Sequence, residues 1–477
     1  MPVPAAQIAC EQWATVYDNP AGHAQWGVDQ AVDVAASPSG DIVYVVGHSN
    51  DAAGVRDIVT LAMSAADGRI LWTARLAGPD GEEDFASAVA VAGDGRTVFI
   101  AGLLDADGGG NRGRGVVAAL DASTGRQRWV ATSQRGGEGG LDRFNALAAS
   151  ADGDTVYAVG ATGPAGQFGL GLSDYLAVAY DAASGEERWA LTYDGTGALS
   201  DRATDVVLAP DAGDVLYVTG SSAGTGDPRD YDTDLTTLAL DAATGQRRWV
   251  HRHDGGQRGN DGAEAIAVSS DGSRVFVAGF VRVPGSSMLL YTNYAAVTLA
   301  VDAATGAQQW TATHAGPGRG VSGATALAVA GDTVVMGGHA MGQSDMDWDS
   351  FAMGVDAATG ATRWLDQSAG PGAVFESAEG VAASPDGTRA YVTSFTRTGT
   401  RQDIVTAAYR AATGERVWTA RWNSSPAGIN YDLAGAVTAT ATGVYVVGST
   451  GDEAAAQANR TTPDFNYRDI AALRYAP

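Results

Sequence analysis

Residues 239–249 read ALDAATGQRRW, and close copies of this phrase recur along the chain. The tryptophans that end the phrase are Trp72, Trp129, Trp189, Trp249, Trp310, Trp364 and Trp418. An eighth tryptophan, Trp13, belongs to the same series but lacks the phrase before it. Successive members of the series are 54 to 61 residues apart. A self-similar period of this length indicates a repeat architecture in which each unit covers the apolar face of its neighbour.

Each repeat contains four short β-rich segments. Between Trp189 and Trp249 these segments are TDVVLAP, VLYVTG, LTTLAL and QRRW, and they are separated by stretches rich in Gly, Asp and Pro. Apolar residues alternate with polar ones in these segments instead of recurring every three or four residues, so the pattern predicts strands and excludes helices. One repeat is therefore a four-stranded antiparallel meander.

The number of repeats follows from counting one strand. The second strand occurs eight times, from IVYVVG (42–47) to VYVVGS (444–449), and the third strand occurs eight times, ending with DIAALRY (469–475). The outer strand missing from the last unit is supplied by QWATVY (12–17). Pairing 12–17 with 469–475 closes the ring and removes two exposed sheet edges. We predict an all-β fold, a closed eight-bladed β-propeller of four-stranded antiparallel blades, which forms a single domain over 1–477.

The phrases ALDAATGQRRW, AVDAATGAQQW (300–310) and GVDAATGATRW (354–364) resemble the tryptophan docking motif of quinoprotein-type propellers, which are also eight-bladed. The stretch 201–222, DRATDVVLAPDAGDVLYVTGSS, is similar to bacterial propeller repeats that end in a VYVTGS-type strand. The resemblance covers nearly the whole chain and implies PQQ-like repeats. It also implies a dehydrogenase that uses pyrroloquinoline quinone (PQQ). The chain has a single Cys and therefore lacks that family's vicinal cysteine pair. It also has no Lys for cofactor contacts and no CxxCH haem-attachment motif, and we predict no PQQ catalysis.

Composition excludes several functional classes. The 55 acidic and 30 basic residues give a net charge of -25, which argues against nucleic-acid binding. No Lys is available for Schiff-base chemistry, and a single cysteine, Cys10, forms no internal disulfide. No apolar run approaches the roughly 20 residues of a membrane span. We expect a monomer located outside the cell or in the periplasm or cell envelope, although no signal peptide is visible.

Functional groups are expected on the face that carries the long loops, namely the second-to-third-strand loops and the links between blades. At the start of each inner strand the pattern acid-x-Ala-x-x-aliphatic places one polar residue per blade. These residues are Asp29, Asp84, Asp142, Asp201, Asp261, Ser322, Glu376 and Asp432. Such a ring can hold a cation in the channel mouth or cap backbone N–H groups of its own loops, and its regularity favours capping.

Two loops alternate acids before a third strand, DYDTD (230–234) and DMDWD (345–349). Alternate residues of an extended segment point the same way, so carboxylates could converge on Ca²⁺. Asp234 and Asp349 occupy a position that is Asp in other blades and are assigned to the strand start. The predicted calcium ligands are therefore Asp230, Asp232, Asp345 and Asp347.

Two histidines and several aromatic residues are candidates for a site at the channel mouth. His48 and His339 directly follow second strands, at a position where the other blades carry no titratable residue, and could act as general acid–base groups or metal ligands. Aromatic side chains beside carboxylates suit stacking on sugars or other flat polar ligands. The predicted ligand-binding residues are Trp26, Tyr231, Trp348, Phe395 and Tyr431.

Two functional hypotheses remain open at this point. The first is an extracellular or envelope propeller that binds a small molecule, a glycan or a protein partner through its loop-rich face. The second is a metal-assisted or acid–base enzyme, such as a lyase or hydrolase acting on a glycan, with its site at the central channel mouth. The second requires His48 and His339 to share a cavity, because proton transfer needs hydrogen-bond reach.

Overall fold

The computed structural model describes residues 7–8, 11–19, 28–106, 112–164, 172–197, 200–210, 213–224, 232–256, 259–283, 293–317, 320–342, 348–368, 373–399, 401–424, 430–451 and 468–477. These residues form eight antiparallel four-stranded meanders arranged as the blades of a propeller. The predicted closed eight-bladed propeller is confirmed. Below, blades are numbered along the chain, and strands are counted outward from the central channel.

Blades 1 to 4 follow one another without interruption. Blade 1 comprises Gln30–Ala36, Ile42–Asn50, Arg56–Ser64 and Ile70–Leu76. Blade 2 comprises Glu83–Val91, Thr97–Ala106, Arg114–Asp121 and Gln127–Ser133. Blade 3 comprises Leu141–Ala149, Thr155–Gly163, Asp174–Asp181 and Glu187–Tyr193. Blade 4 comprises Arg202–Leu208, Val215–Ala223, Thr233–Asp241 and Arg247–His253.

Blades 5 to 8 complete the ring. Blade 5 comprises Gly262–Val268, Arg274–Arg282, Tyr294–Asp302 and Gln308–His314. Blade 6 comprises Gly323–Ala330, Thr333–Met341, Trp348–Asp356 and Thr362–Ser368. Blade 7 comprises Ala373–Ala383, Arg389–Thr398, Arg401–Arg410 and Arg416–Trp422. Blade 8 comprises Leu433–Ala439, Val444–Thr450, Asp469–Tyr475 and Glu11–Tyr17. Two short strands, Gln7–Ile8 and Asn430–Tyr431, pair in parallel with the fourth and third strands of blade 7.

Closure of the ring is made by the two ends of the chain. Glu11–Tyr17 runs antiparallel to Asp469–Tyr475, with Trp13 opposite Arg474 and Ala14 opposite Leu473. The first strands of neighbouring blades contact one another all the way round, including blade 8 against blade 1. This arrangement leaves no open sheet edge between the first and last repeats, as the sequence pattern requires.

The hydrophobic core is divided among the eight interfaces between blades. A cluster of buried side chains fills each interface, and a second small cluster lies between blades 2 and 3; between blades 3 and 4, for example, Val159, Leu216 and Leu238 pack together, all almost inaccessible to solvent. The clusters at the eight interfaces are separate from one another. A single blade therefore has two apolar faces that only its neighbours cover, which explains why the sequence repeats.

The repeated phrase fixes each blade to the next. The indole Nε1 of a fourth-strand tryptophan donates a hydrogen bond to an alanine carbonyl in the turn between the third and fourth strands of the following blade. The donor–acceptor pairs are Trp13–Ala65, Trp72–Ala122, Trp129–Ala182, Trp189–Ala242, Trp249–Ala303, Trp310–Ala357 and Trp364–Ala411, at 2.7–3.1 Å. The glycine of the same turn lies against the tryptophan ring: a Cβ on Gly245 would be 2.6 Å from Trp189 Cε3.

The interface between blades 6 and 7 departs from this pattern. In seven blades the second strand carries a Tyr or Phe whose ring packs against the tryptophan of its own blade, but blade 6 has Val335 there. Trp364 stacks instead on Tyr409 of blade 7, with ring centroids 5.3 Å apart. A cavity of about 380 Å³ remains between the two blades and contains the ion pair of Arg416 and Asp366.

Every first strand contains a β-bulge, whose extra residue lies three positions after the polar residue of the predicted ring. The extra residue of the bulge reaches the neighbouring first strand in several blades: Thr204 Oγ1 donates to the Ala263 carbonyl at 2.8 Å, and Asn145 Nδ2 donates to the Ala203 carbonyl at 2.7 Å. Bulges re-aim side chains where a strand must bend. Here they turn polar side chains toward the adjacent blade around the channel.

Candidate functional site

The acidic ring lies at the loop-rich face, where each first strand begins, and all eight of its residues are buried. Asp201 accepts backbone N–H groups from Gly195 at 2.7 Å and Ala223 at 2.8 Å. Ser322, the one non-acidic member, accepts the equivalent N–H groups, from Gly316 in the preceding link at 3.2 Å and from Met341 at the end of the second strand at 3.4 Å. These contacts make the ring a set of loop caps, which is the explanation that its regularity favours.

Burial changes the protonation of some ring members. Desolvation raises the pKa of Asp84 to about 6 and that of Asp261 to about 7, although backbone N–H groups donate to both carboxyls. Carboxyls with such pKa values are partly protonated near neutral pH.

Two groups of three carboxylates were not predicted from the sequence. In each group one oxygen per residue lies within 4.8 Å of the others: Asp174, Asp194 and Asp201 between blades 3 and 4, and Asp18, Asp29 and Asp469 between blades 8 and 1. Burial, together with the charges of Asp18 and Asp29, raises the pKa of Asp469 to about 7. Carboxylate oxygens are ligands that Ca²⁺ prefers, so these are the described residues best arranged to hold a cation.

The fourth-strand residue that faces the aspartate at the start of the third strand differs among the blades. In blades 1, 4 and 7 an arginine on this strand forms an ion pair with the aspartate that begins the third strand. The pairs are Arg75–Asp57, Arg252–Asp234 and Arg421–Asp403. The equivalent fourth-strand residues in blades 3 and 8 are Thr192 and Val16. Neither side chain can form the arginine–aspartate pair with the third-strand aspartate of its own blade, Asp174 or Asp469.

One of the four predicted calcium ligands, Asp232, is among the described residues. Asp230, Asp345 and Asp347 lie outside the described residues. Asp232 is described, and its Oδ1 accepts the backbone N–H of Gly259 at 3.0 Å. That contact joins the third strand of blade 4 to the link that leads into blade 5.

The two candidate catalytic histidines lie on different blades and have different neighbours. His48, on blade 1, packs edge-on against Phe85 of blade 2, with ring centroids 5.6 Å apart. His339, on blade 6, stacks on Trp348 at 4.6 Å. Burial lowers the pKa of both imidazoles to about 4, with the Arg56 charge adding to the effect at His48, so both are neutral at pH 7. Within the described part of the chain, no contact links one ring to the other.

Aromatic side chains cluster on the loop-rich side of blades 5 to 7. We call Phe280, Tyr294, His339, Trp348, Phe375 and Phe395 the aromatic arc. Trp348 contacts Phe375 at 4.9 Å, and Phe375 stacks on Phe395 at 5.6 Å. At the other end Phe280 contacts Tyr294 at 5.5 Å. Most of these rings are half-buried, so part of each remains accessible to a ligand.

The arc unites three residues nominated from the sequence, His339, Trp348 and Phe395. Gly323 separates the rings of Phe280 and His339, since a Cβ there would lie 3.7 Å from Phe280 Cβ and 3.5 Å from His339 Cε1. Tyr431 lies at the next interface, paired with Gln402 of blade 7. Trp26 and Tyr231 fall outside the described residues.

The first strands of blades 3 and 4 carry positive charge near their loop-rich ends. Arg143 and Arg202 follow their ring aspartates and are exposed. Burial among protein groups and the mutual repulsion of the two guanidinium groups lower the pKa of Arg143. Farther along the first strands, Asp33 and Asp205 each accept one N–H of their own strand and one of the next blade, at 2.8 and 2.9 Å.

These two aspartates predict a dependence of stability on pH. Desolvation raises the pKa of both carboxyls to about 6, with the Asp33 charge adding to the effect at Asp205. The folded state therefore retains protons that the unfolded chain releases above about pH 4. This contribution to stability is fully present below about pH 4 and is lost as pH rises through about 6. We expect the Tm to fall by about 2–6 °C between pH 4.5 and 7.5.

Calorimetry across this pH range tests the prediction. The double variant D33N/D205N should reduce the slope, because neither amide titrates, while Asp84, Asp261 and Asp469 keep a contribution of the same sign. The control is D121N: its hydrogen bonds to Arg128, Ser123 and Thr124 lower the pKa of Asp121, so its removal should leave the slope between pH 4.5 and 7.5 unchanged. An unchanged slope in D33N/D205N would assign the pH dependence to other groups.

Comparison with known proteins places the chain in a family. The sequence profile of the family described as outer membrane protein assembly factor BamB matches residues 11–290 and 285–390, which is more than half of the chain. The chain belongs to this family. Its PQQ-like repeats account for the resemblance of the tryptophan phrase to quinoprotein propellers. No curated protein matches the chain significantly.

Solved structures support the fold of this BamB-family chain. The quinohemoprotein alcohol dehydrogenase ADHIIG from Pseudomonas putida HK5 is 14% identical, with a TM-score of 0.56 over 99% of this chain and 78% of that one. Sqt1 from Chaetomium thermophilum, solved bound to the N-terminus of ribosomal protein L10, is 15% identical, with a TM-score of 0.54 over 94% and 97%. The Dos1 propeller is 10% identical, with a TM-score of 0.54 over 99% and 95%. At these identities the likeness concerns the fold alone.

Over the described residues, the structure contains no helix with the length and apolarity that a membrane crossing requires.

Proposed function

We propose that this BamB-family propeller is a binding protein of the cell envelope that holds a polypeptide partner through the aromatic arc. The observation that carries the proposal is the arc itself, a run of mostly half-buried rings on one side of the loop-rich face. Aromatic side chains contribute most of the binding energy in many protein interfaces, because they bury a large area with few rotatable bonds. The family description, an outer membrane assembly factor, supports the envelope and a protein partner.

The charge of the chain favours a partner of opposite sign. A net charge of -25 attracts basic segments and repels acidic ones over distances of about one Debye length. We therefore expect the partner segment to combine apolar side chains, which meet the rings, with basic residues around them.

The enzymatic alternative receives less support. It depends on His48 and His339 acting together, and these histidines lie on blades 1 and 6 in separate contacts. PQQ chemistry also fits poorly. The chain has one Cys and no Lys. The eight residues of the ring are buried, and members such as Asp201 and Ser322 accept hydrogen bonds from backbone N–H groups of the neighbouring loops.

Substitution of Trp348 tests the binding proposal. A photo-reactive amino acid at position 348 should cross-link a partner in envelope extracts, whereas the same group at the exposed Leu71, on the outer strand of blade 1, should not. With that partner purified, W348A should weaken its binding by about 10- to 100-fold, the usual effect of removing a central aromatic contact.

Phe85 provides the matched control for Trp348. It is also half-buried on the loop-rich face, but it packs against His48 and Arg56 at blade 2, outside the arc. F85A should bind the partner as the unmodified protein does. Equal losses in F85A and W348A would place the interface elsewhere, and unchanged binding in W348A would overturn the proposal.

A further inference from the structure

The residue that directly follows each ring position lies near the loop-rich end of its first strand, around the mouth of the channel. In blade order these residues are Gln30, Phe85, Arg143, Arg202, Gly262, Gly323, Ser377 and Leu433. Only blades 3 and 4 carry a charged side chain at this position, and both charges are positive. A chain with 55 acidic and 30 basic residues therefore places two arginines on neighbouring blades at the channel mouth. We call Arg143 and Arg202 the arginine pair.

The two members of the arginine pair lie close together. Asn145 Nδ2 donates a hydrogen bond to the Ala203 carbonyl at 2.7 Å. These two residues lie two positions after Arg143 and one position after Arg202, so the bond joins the two first strands beside the pair. Desolvation by surrounding protein groups and, to a smaller extent, the charge of Arg202 lower the pKa of Arg143. The two guanidinium groups are therefore near enough to repel each other.

Both side chains of the arginine pair are exposed, and neither forms a hydrogen bond or an ion pair within the part of the chain that the structure describes. Elsewhere on the same face, arginines such as Arg75 and Arg252 form ion pairs with aspartates of their own blades. The Glu264 carboxyl of blade 5 interacts with Arg202 only at longer range: burial raises the pKa of Glu264, and the charge of Arg202 partly opposes that shift. Both guanidinium groups are therefore available to an external anion.

The aromatic arc reaches the blade that carries Arg202. A Cβ on Gly262 would lie 3.0 Å from Phe280 Cζ and 3.6 Å from Ser221 Cβ, so Phe280 and Ser221 approach the same point from blades 5 and 4. Phe280 is the first ring of the arc along the chain, and Ser221 is the register partner of Arg202 on the second strand of blade 4. An apolar ring therefore lies next to the strand pair that carries this guanidinium group.

We propose that the arginine pair binds the C-terminal carboxylate of the polypeptide that the aromatic arc holds, an inference that rests on the proposed function. A guanidinium group presents its N–H donors in a planar fork that matches the two oxygens of a carboxylate. At a chain terminus the carboxylate is adjacent to the last side chain, so an apolar last residue can contact Phe280 while the carboxylate contacts Arg202. The acidic protein repels segments rich in Asp or Glu, whereas a terminal carboxylate adds a single negative charge to an apolar and basic segment.

The probe is a dye-labelled peptide of sequence GRGRALL, which combines the basic and apolar residues expected of the partner. Fluorescence anisotropy compares its free acid with its C-terminal amide. The acid should bind about 3- to 10-fold more tightly, because its carboxylate forms charge-assisted hydrogen bonds with the arginine pair. Overall charge predicts the opposite order, since the amide is one charge more positive and the protein is acidic. The amide of GRGRALE, with its carboxylate on a side chain, should bind no better than the GRGRALL amide; affinity equal to that of the acid would contradict the assignment to a chain terminus.

The double variant R143Q/R202Q should abolish the preference for the acid. Its control is R69Q/R126Q, which removes the same charge from two exposed arginines in third-to-fourth-strand turns on the opposite face and should keep the preference. W348A should weaken the acid and the amide by the same factor, because it removes a ring of the arc and leaves both arginines. Equal binding or no binding of the two peptides to the unmodified protein, or a preference that persists in R143Q/R202Q, would overturn this inference. Unchanged binding of both peptides by W348A would instead contradict the proposed role of the arc.

Discussion

Replacing Gly245 by alanine is expected to lower the free energy of unfolding by about 2–5 kcal/mol. Two penalties add at this position. The backbone φ of +71° is unfavourable for any residue with a Cβ. The new methyl would also lie 2.6 Å from Cε3 and 2.7 Å from Cδ2 of Trp189, a rigid ring held by its own hydrogen bond to Ala242. Neither the turn nor the ring can move without losing that bond.

The control for this variant is Gly213, in another turn of the same blade. Its φ is +62°, and a Cβ there meets nothing within 4 Å. G213A therefore carries only the backbone penalty, about 1–2 kcal/mol. Denaturation in guanidinium chloride measures both variants under the same conditions. The difference between them is the cost of displacing Trp189, and equal effects would show that the docked tryptophan yields without loss.

The same contact explains why the fold could be predicted from the sequence. The phrase at residues 239–249 contains the two kinds of group that meet at each interface, a turn and a tryptophan. Its turn accepts the hydrogen bond of Trp189 from the preceding blade, and its Trp249 donates to the turn of the following blade. Because every blade contacts only adjacent blades, the local pattern determines the long-range contacts. Segment 12–17 is the one outer strand without a repeat of its own, and 469–475 is the one third strand without an outer neighbour. The structure pairs these two segments.

The site could be predicted only in part, because its residues meet across blades whose loops differ in length. The sequence predicts Trp348 and Phe395 as ligand-binding residues, but their connection passes through Phe375, which bridges blades 6 and 7. Each group of three carboxylates combines one aspartate at the start of a third strand, one in the link between blades and one at the start of the next blade's first strand. A sequence signal was present in Thr192 and Val16, which replace the pairing arginine, but the strand register is needed to recognise it.

Trp418 shows a second feature that the sequence pattern does not predict. The sequence places this tryptophan in the same series as the other seven and predicts the same docking. Its acceptor depends on a turn in blade 8, and the third and fourth strands of that blade come from opposite ends of the chain. The short strand Gln7–Ile8 pairs in parallel with Trp418 and Thr419 at this point, without supplying an acceptor to the indole N–H.

Deleting residues 1–17 is expected to prevent the propeller from remaining a folded monomer. The deletion removes the fourth strand of blade 8 and leaves the edge of Asp469–Tyr475 unpaired. It also removes Trp13, which donates to Ala65, and Tyr17, which is buried between blades 8 and 1 with Ile470. The lost strand pairing and the lost burial together are worth on the order of 5–10 kcal/mol, which is comparable to the whole stability of a typical domain.

Two further preparations serve as controls for the deletion of residues 1–17. A chain lacking only residues 1–8 keeps Glu11–Tyr17 and loses a two-residue strand, so its Tm should stay within about 2 °C of that of the full chain. A synthetic peptide of residues 9–19, added during refolding of the chain that lacks 1–17, should restore the missing pairing. Size-exclusion chromatography with light scattering distinguishes a monomer from aggregates joined at the exposed edge. A monomeric, thermally unaltered chain without residues 1–17 would show that the ring is stable without its closing strand.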